Sequence, residues 1–455
     1  MTEQMAGLPY WQFEFGQSGE RMSVPPIATL KQEMTAAGIT DLFMFSHGWN
    51  NSHAVARDLY GRMFGEIASI ARGQPGLRPS TTIGVSGVVW PALQWADESV
   101  PGTGSTGVGG VAAAAFSGPA AVAPPAPSVA AVVGELTRVF TEPEQQAAIA
   151  ELASLLETRP NDDAKLQRFQ TLMRPLAPTA PADAPPEERG QRALIENDHR
   201  EVFDRMSQAS VLAQVPPPLP SGGAAGFGID LSARWEGAKQ ALRQLTYWQM
   251  KARAGVVGQK GLGGLVTELH GQLPELRIHL IGHSFGARLV SFSLAGLPST
   301  AEGTASPVKS VTLLQGAFSH FAFSPSLPQA PAQPGALNGM AKRVDGPLVV
   351  SFTSFDKAVG VFYPWATLVT GTNASNIGDP LYPWGAMGSD GAQAVGATVM
   401  EFKDAGSSYD FTAGRFYNLD GNGFMNVGNP PAGAHGDIIY PKIAWAILAA
   451  ARVVP

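Results

Sequence analysis

The run Ile278-His279-Leu280-Ile281-Gly282-His283-Ser284-Phe285-Gly286-Ala287-Arg288 constrains this chain more than any other stretch. It passes from an apolar strand through G-x-S-x-G into a helix, which requires a strand and a helix joined by a very tight turn. Glycines at 282 and 286 let backbone pass backbone where a Cβ would collide. Ser284, at the apex, then presents its hydroxyl above the strand end, and the following helix turns free N–H groups and the positive end of its dipole toward it. This is the pattern of a nucleophile elbow. A five-residue match arises by chance in a chain with 52 glycines, so the flanks decide. Arg277–Ile281 reads as a buried strand and Ala287–Phe292 as a helix.

A serine hydroxyl is a weak nucleophile at neutral pH, so it needs a base, and the base needs a carboxylate to fix its tautomer. The apolar run from Pro347 reads as a strand ending at Asp356, a residue equally suited to cap a helix beginning near Lys357. Of the eight histidines only His435 follows Asp356. It sits in Gly433-Ala434-His435-Gly436-Asp437, just before the apolar run Ile438–Val453, which reads as a helix. In the chain order serine, acid, histidine, these three residues form a candidate triad. An oxyanion would need N–H donors as well. Phe285 follows the nucleophile, and Trp49 follows the apolar strand Asp41–Ser46 in His47-Gly48-Trp49.

HGW at 47–49, GHSFG at 282–286, the strand ending at Asp356 and then His435 occur in that order, from about residue 38 to the C-terminus. On these landmarks the chain resembles the α/β-hydrolase fold serine hydrolases of the esterase/lipase kind. The resemblance implies an α/β fold whose eight-stranded, mostly parallel central sheet is flanked by helices. It also implies Ser284, Asp356 and His435 as catalytic residues, the Trp49 and Phe285 N–H groups as the oxyanion hole, and ester cleavage through an acyl-enzyme. A serine at the elbow argues against dehalogenases and epoxide hydrolases, which use aspartate there. Two alternatives stand: an amidase or peptidase with the same triad, and a silent scaffold that binds a partner through its insertion. The expected substrate is a small-molecule or lipid-like ester. Its pocket is expected to be lined by His47, Phe318, Phe321 and Phe362, with Trp49, Phe285 and Trp365 also on the rim. His320 precedes Asp356 and reads as a loop or substrate-contact residue, while His283 reads as packing beneath the sheet edge.

One departure is the length of chain before the elbow. After the strand Ile83–Trp90, Asp97–Ala233 alternates Pro/Gly-rich tracts with polar helices, dividing the chain into a core of 1–96 and 234–455 and an inserted cap of 97–233. Within the insertion, helices are predicted over Glu142–Glu157, with a capping box from Thr141 and Glu144, and over Glu187–Ala209. The insertion reads as a movable cap over Ser284. A helix pair is predicted over Arg234–Gly271; its Gly261-Leu262-Gly263-Gly264 lacks the Lys-Ser/Thr of a phosphate loop. Earlier in the chain, Tyr10–Phe15 alternates like an edge strand, and a helix capped by Ser52 carries Val55, Leu59, Met63 and Ile67 on one stripe.

Composition narrows the partners. The 44% hydrophobic content supplies a large core, and a net charge of −6 without a Lys/Arg cluster argues against a nucleic-acid surface. There are no cysteines, hence no disulfides and no thiolate metal sites. No metal or organic cofactor is expected; Asp420-Gly421-Asn422-Gly423 resembles part of a calcium loop but lacks the later ligands, and reads as a turn. No apolar run reaches the ~18 residues of a membrane span. Met1–Tyr10 has no apolar signal core, so a cytoplasmic location is expected. Oligomeric state is left open.

Overall fold

The run Asp41-Leu42-Phe43-Met44-Phe45-Ser46 is apolar on both faces, as a strand must be when helices cover both sides of its sheet. The computed structural model describes residues 2–49, 51–73, 76–92, 129–178, 184–214, 231–298, 305–359, 385–428 and 433–454, and this run is its strand β4 (Asp41–Ser46), buried throughout. Leu42 and Met44 enter the core on one side of the sheet, Phe43 and Phe45 that on the other.

The remaining described strands are β1 (Gln4–Met5), β2 (Leu8–Phe15), β3 (Arg21–Ser23), β5 (Ile83–Val89), β6 (Arg277–His283), β7 (Val308–Leu314), β8 (Leu348–Phe352), β9 (Thr398–Glu401) and β10 (Phe416–Asp420). They make one ten-stranded sheet in the order β1-β2-β5-β4-β6-β7-β8-β10-β9, with β3 also on β2. Every pairing from β2 across to β9 is parallel. Only β1 and β3 run antiparallel, both against β2. The run Tyr10–Phe15 therefore lies inside β2 and is not the bare edge its alternation suggested; two short strands cover its outer side. The protein is α/β, with a mostly parallel mixed sheet flanked by helices.

Helices α1 (Ile27–Ala36) and α2 (His53–Arg72) precede the insertion, which supplies α3 (Val129–Val139), α4 (Pro143–Thr158), α5 (Asp163–Met173), α6 (Gln191–Glu196) and α7 (His199–Gln214). Then come α8 (Leu231–Val256), α9 (Gly263–Gln272) and α10 (Phe285–Ser293). The apolar sides of α1, α8, α9 and α10 pack on one face of the sheet; those of α2 and the C-terminal helix Pro441–Ala450 pack on the other. Ser52 does cap α2, its hydroxyl accepting the Val55 N–H at 3.3 Å.

Several helix boundaries differ from the sequence reading for local reasons. The α4 capping box is Glu142 with Gln145, one residue on from Thr141 and Glu144, because Pro143 takes the first helical position, where its missing N–H costs nothing. The helix expected over 187–209 breaks in two, since the Asp198 carboxylate accepts the N–H groups of Arg200 at 3.0 Å and Glu201 at 3.2 Å and starts α7 afresh. The expected pair over 234–271 is one run, α8 joined to α9 through a π-helical segment, Val257–Leu262. Two of its glycines allow close approach: a Cβ on Gly258 would overlap the Leu289 carbonyl, and one on Gly263 would lie 2.6 Å from the Ser293 carbonyl, so this helix lies directly on the backbone of α10.

The insertion shares its core with α8. Phe169 of α5 meets Trp235 edge-on at 5.7 Å and Phe203 of α7 at 6.0 Å, and the Trp235 indole donates to the Pro160 carbonyl at 3.0 Å. Glu188 reaches α10, its carboxylate taking both arms of the Arg288 guanidinium at 2.8 and 2.7 Å. The apolar residues of α3–α7 thus continue the core on the α8 face of the sheet.

Chain order across the sheet marks where a site belongs. From β4 the chain goes to β5 on one side, and from β6 it goes to β7 on the other. Loops leaving the carboxyl ends of β4 and β6 therefore diverge and open a crevice between them. His47-Gly48-Trp49 leaves β4 there, and Ser284 leaves β6.

Candidate active site

Ser284 follows β6 directly and has φ 57° and ψ −123°, a region that a residue with a Cβ enters only when its surroundings force it. The forcing is visible. Its N–H donates to the Leu314 carbonyl at 3.0 Å, and its carbonyl accepts from Ala317 at 3.2 Å. A Cβ on Gly282 would overlap the Gly286 carbonyl, and one on Gly286 would overlap the carbonyls of Ser46 and His47. Both glycines are needed for β6, α10 and the β4 loop to meet at one point. The N–H of Phe285, first in α10, has no acceptor within its own helix.

The candidate acid, Asp356, comes from the corner after β8 and the candidate base, His435, from the loop before the C-terminal helix. The two loops are tied by an antiparallel bridge between Asp356 and Gly433 and by the Ala434 N–H donating to the Phe355 carbonyl at 3.0 Å. His435 Nδ1 lies 2.8 Å from Asp356 Oδ2, and its Nε2 lies 2.8 Å from Ser284 Oγ. A carboxylate only accepts, so Nδ1 carries the proton and Nε2 of the neutral ring offers its lone pair to the serine hydroxyl. Asp356 is wholly buried, and its Oδ1 accepts the Val359 N–H at 3.2 Å, so the helix-capping reading and the triad geometry coexist. The Asp420–Gly423 turn braces the same corner: Asn422 Oδ1 accepts from Ser354 N at 2.9 Å and Ser354 Oγ at 2.8 Å.

His283 packs against the base from below, as expected of a core residue, but with a specific bond. Its Nε2 donates to the His435 carbonyl at 2.8 Å, with ring centroids 4.9 Å apart. Burial, and then the neighbouring His435 ring, pull it down to about 3, so it stays neutral.

The loop after β4 lies against Ser284, since a Cβ on Gly48 would fall 2.6 Å from Ser284 Cβ and 3.1 Å from its Oγ. The Gly48 carbonyl is taken by His47 Nδ1 at 2.8 Å and by Asn51 Nδ2 at 3.1 Å. In a trans peptide the Trp49 N–H points the opposite way, leaving it aimed away from both donors. His47, expected to line the pocket, spends both ring nitrogens on backbone groups: Nδ1 on Gly48 and Nε2 on Trp90. It is buried, stacks on Trp90 at 5.6 Å and accepts the Trp90 N–H at Nε2, 3.3 Å away. Burial pulls it down to about 4, so its ring serves the loop as a neutral donor and acceptor.

The aromatic residues divide. Phe318 and Phe321, expected to line the pocket, carry almost no exposed surface and lie on the loop beyond β7. His320 beside them is held by Asp390 at 2.8 Å. Phe362 and Trp365 lie outside the described residues. A group not foreseen is Tyr247 of α8, whose ring sits 6.0 Å from Trp49 and 5.1 Å from Phe285, with Trp49 5.9 Å from Phe285. Trp49 and Tyr247 are partly exposed beside the two candidate N–H donors. Asn51 and Gln315 were missed as well, because a single Asn or Gln has no sequence signature.

Among the described residues no cluster of three or more His, Asp or Glu could hold a metal, and no helix is long and apolar enough to cross a membrane. Comparison with family models, with curated proteins and with solved structures gave no match.

Proposed function

We propose that this chain is a serine hydrolase of the α/β-hydrolase fold that cleaves carboxylic esters through an acyl-enzyme on Ser284. The observation that carries the proposal is the continuous chain from Asp356 through both His435 nitrogens to Ser284 Oγ, with each contact at 2.8 Å, built from three separate loops. His435 removes the Ser284 proton as Oγ attacks the ester carbonyl, and returns it to the departing alkoxide. Asp356 keeps the proton of the neutral ring on Nδ1 and stabilises the imidazolium once it forms. The Phe285 and Trp49 N–H groups stabilise the tetrahedral oxyanion. Water activated by the same histidine then releases the acid, and the cycle needs no cofactor.

The aromatic group of Trp49, Tyr247 and Phe285 supports an apolar or aryl ester as substrate, because it places ring surface next to those donors. The test is turnover of p-nitrophenyl esters of rising chain length beside matched anilides, with Ser284→Ala as control. Ester turnover that Ser284→Ala abolishes supports the proposal. Anilide turnover at comparable rates would move the assignment to an amidase, and inert, properly folded wild-type protein would move it to a scaffold.

A further inference from the structure

The triad carboxylate has another partner that the reaction scheme leaves unused. Gln315 directly follows β7, on the strand next to β8, and stands at φ 46°, a left-handed conformation strained for a side chain of its kind. Three bonds accompany that strain. Its backbone N–H donates to Ser351 Oγ at 3.1 Å, the Ser351 hydroxyl donates to Gln315 Oε1 at 3.0 Å, and Gln315 Nε2 donates to Asp356 Oδ2 at 3.1 Å. The orientation of the amide is dictated by this network. Ser351 already accepts the backbone N–H and therefore gives its proton to Oε1, so Nε2 must face the carboxylate; the flipped amide would set oxygen against oxygen. Gln315, Ser351 and Asp356 are all fully buried, so water does not substitute for the bond.

We infer that Gln315 is a positioning residue for the triad: its amide holds Asp356 Oδ2, the oxygen that also receives His435 Nδ1–H, and so sets where the carboxylate points and how much of its negative charge reaches the imidazole. The inference rests on the hydrolase reading above. A hydrogen bond to a buried carboxylate fixes its torsion; without Gln315, the described residues that still hold this one are the Val359 cap on Oδ1 and His435 itself on Oδ2. Gln315 touches neither Ser284 nor His435 in any recorded bond, so it acts through Asp356. Loss of its N–H should weaken turnover more than substrate binding. It should also leave more of the carboxylate charge on the imidazole, favouring imidazolium. Among the described residues, the titratable groups next to this pair include His283 beneath the ring and Lys357 beside Gly433; Asp437, two residues after His435, is engaged by the Val427 N–H and Tyr440 Oη.

The experiment compares wild type, Ser284→Ala, Gln315→Met and Ser351→Ala in purified protein of residues 1–455. Gln315→Met keeps length and volume but removes the donor; Ser351→Ala frees the amide to turn. Activity of wild type and its loss in Ser284→Ala test the hydrolase reading by themselves. Within an active enzyme, Gln315→Met is expected to lower kcat about tenfold to hundredfold, the range for a hydrogen bond to a charged group, with KM within about twofold. The acid limb of its kcat/KM profile moves to higher pH, and Ser351→Ala shows a smaller loss in the same direction. A Gln315→Met protein that melts like wild type and keeps both kcat and the acid limb overturns the inference. Should Gln315→Met fail to fold, an unchanged Ser351→Ala overturns it instead. If wild type is inert, the low-field proton signal of the His435–Asp356 bond decides: a signal altered in Gln315→Met supports positioning, and one identical to wild type refutes it.

Discussion

At the residue scale the account turns on a few side chains whose neighbours leave them little choice. Ser284→Ala is expected to lower kcat by ~10⁴-fold or more with no change in melting temperature, measured by ester turnover and thermal unfolding. Asp356→Asn should be less severe but still large, because a neutral amide no longer holds the proton on Nδ1. An Asp356→Asn enzyme with wild-type rates would point to a different acid. Gly48→Ala is the sharper geometric test: the new Cβ would stand 2.6 Å from Ser284 Cβ, so the loop or the serine must move. It should reduce kcat by at least ~10²-fold, the scale of losing one oxyanion donor, and unimpaired turnover would show that the β4 loop does not crowd the nucleophile. Ser284 and Asp356 stood out in the sequence because an apolar run ends at each, and His435 because an apolar run begins just after it and it is the one histidine past Asp356. Gln315, Asn51 and Tyr247 could not. Their roles depend on which loops the sheet order brings together, and nothing local to them records that.

At the element scale, strand and helix types followed from apolar periodicity, while boundaries followed side-chain bonds that periodicity does not show. Asp198 split a helix and Pro143 moved a cap by one residue. The Pro/Gly-rich insertion read as a cap separable from the core, yet Phe169 and Phe203 pack with Trp235 of α8. Replacing 97–233 by a short linker is therefore expected to strip apolar cover from α8 and to give poorly folded protein. A gentler test is Glu188→Ala. It takes the carboxylate from the Arg288 guanidinium, whose side chain is 4% exposed and whose two terminal nitrogens it binds, so stability should fall by about 3 kcal/mol. Urea unfolding measures this, and a loss under ~0.5 kcal/mol would mean that Glu188 does not anchor the insertion to α10. The double variant Glu188→Ala/Arg288→Met should recover part of the loss, because it removes the buried guanidinium charge together with the carboxylate that neutralised it.

At the scale of the whole molecule, several buried histidines couple the fold to pH. Burial depresses His47 to about 4 and His283 to about 3, and lowers His279 as well, all from an ordinary 6.5. Below pH 6.5 the unfolded chain takes up protons that the native protein refuses. The stabilisation is complete above that value and is lost as pH falls toward the depressed ones. Each such histidine contributes a slope of up to about 1.4 kcal/mol per pH unit. Urea unfolding at pH 7.5, 6 and 5 should show stability falling steadily, before most carboxylates titrate; a flat profile over that window would mean these histidines are not held neutral. The same sheet that buries them sets Ser284 at the β4–β6 crevice, and the central claim is that this serine is an activated nucleophile. Its most direct measurement is intact-mass analysis of wild type and Ser284→Ala after exposure to a fluorophosphonate, with the adduct located by peptide mapping. The account predicts a single adduct on Ser284 in wild type and none in Ser284→Ala. Unlabelled wild type, or labelling that persists in Ser284→Ala, would contradict it.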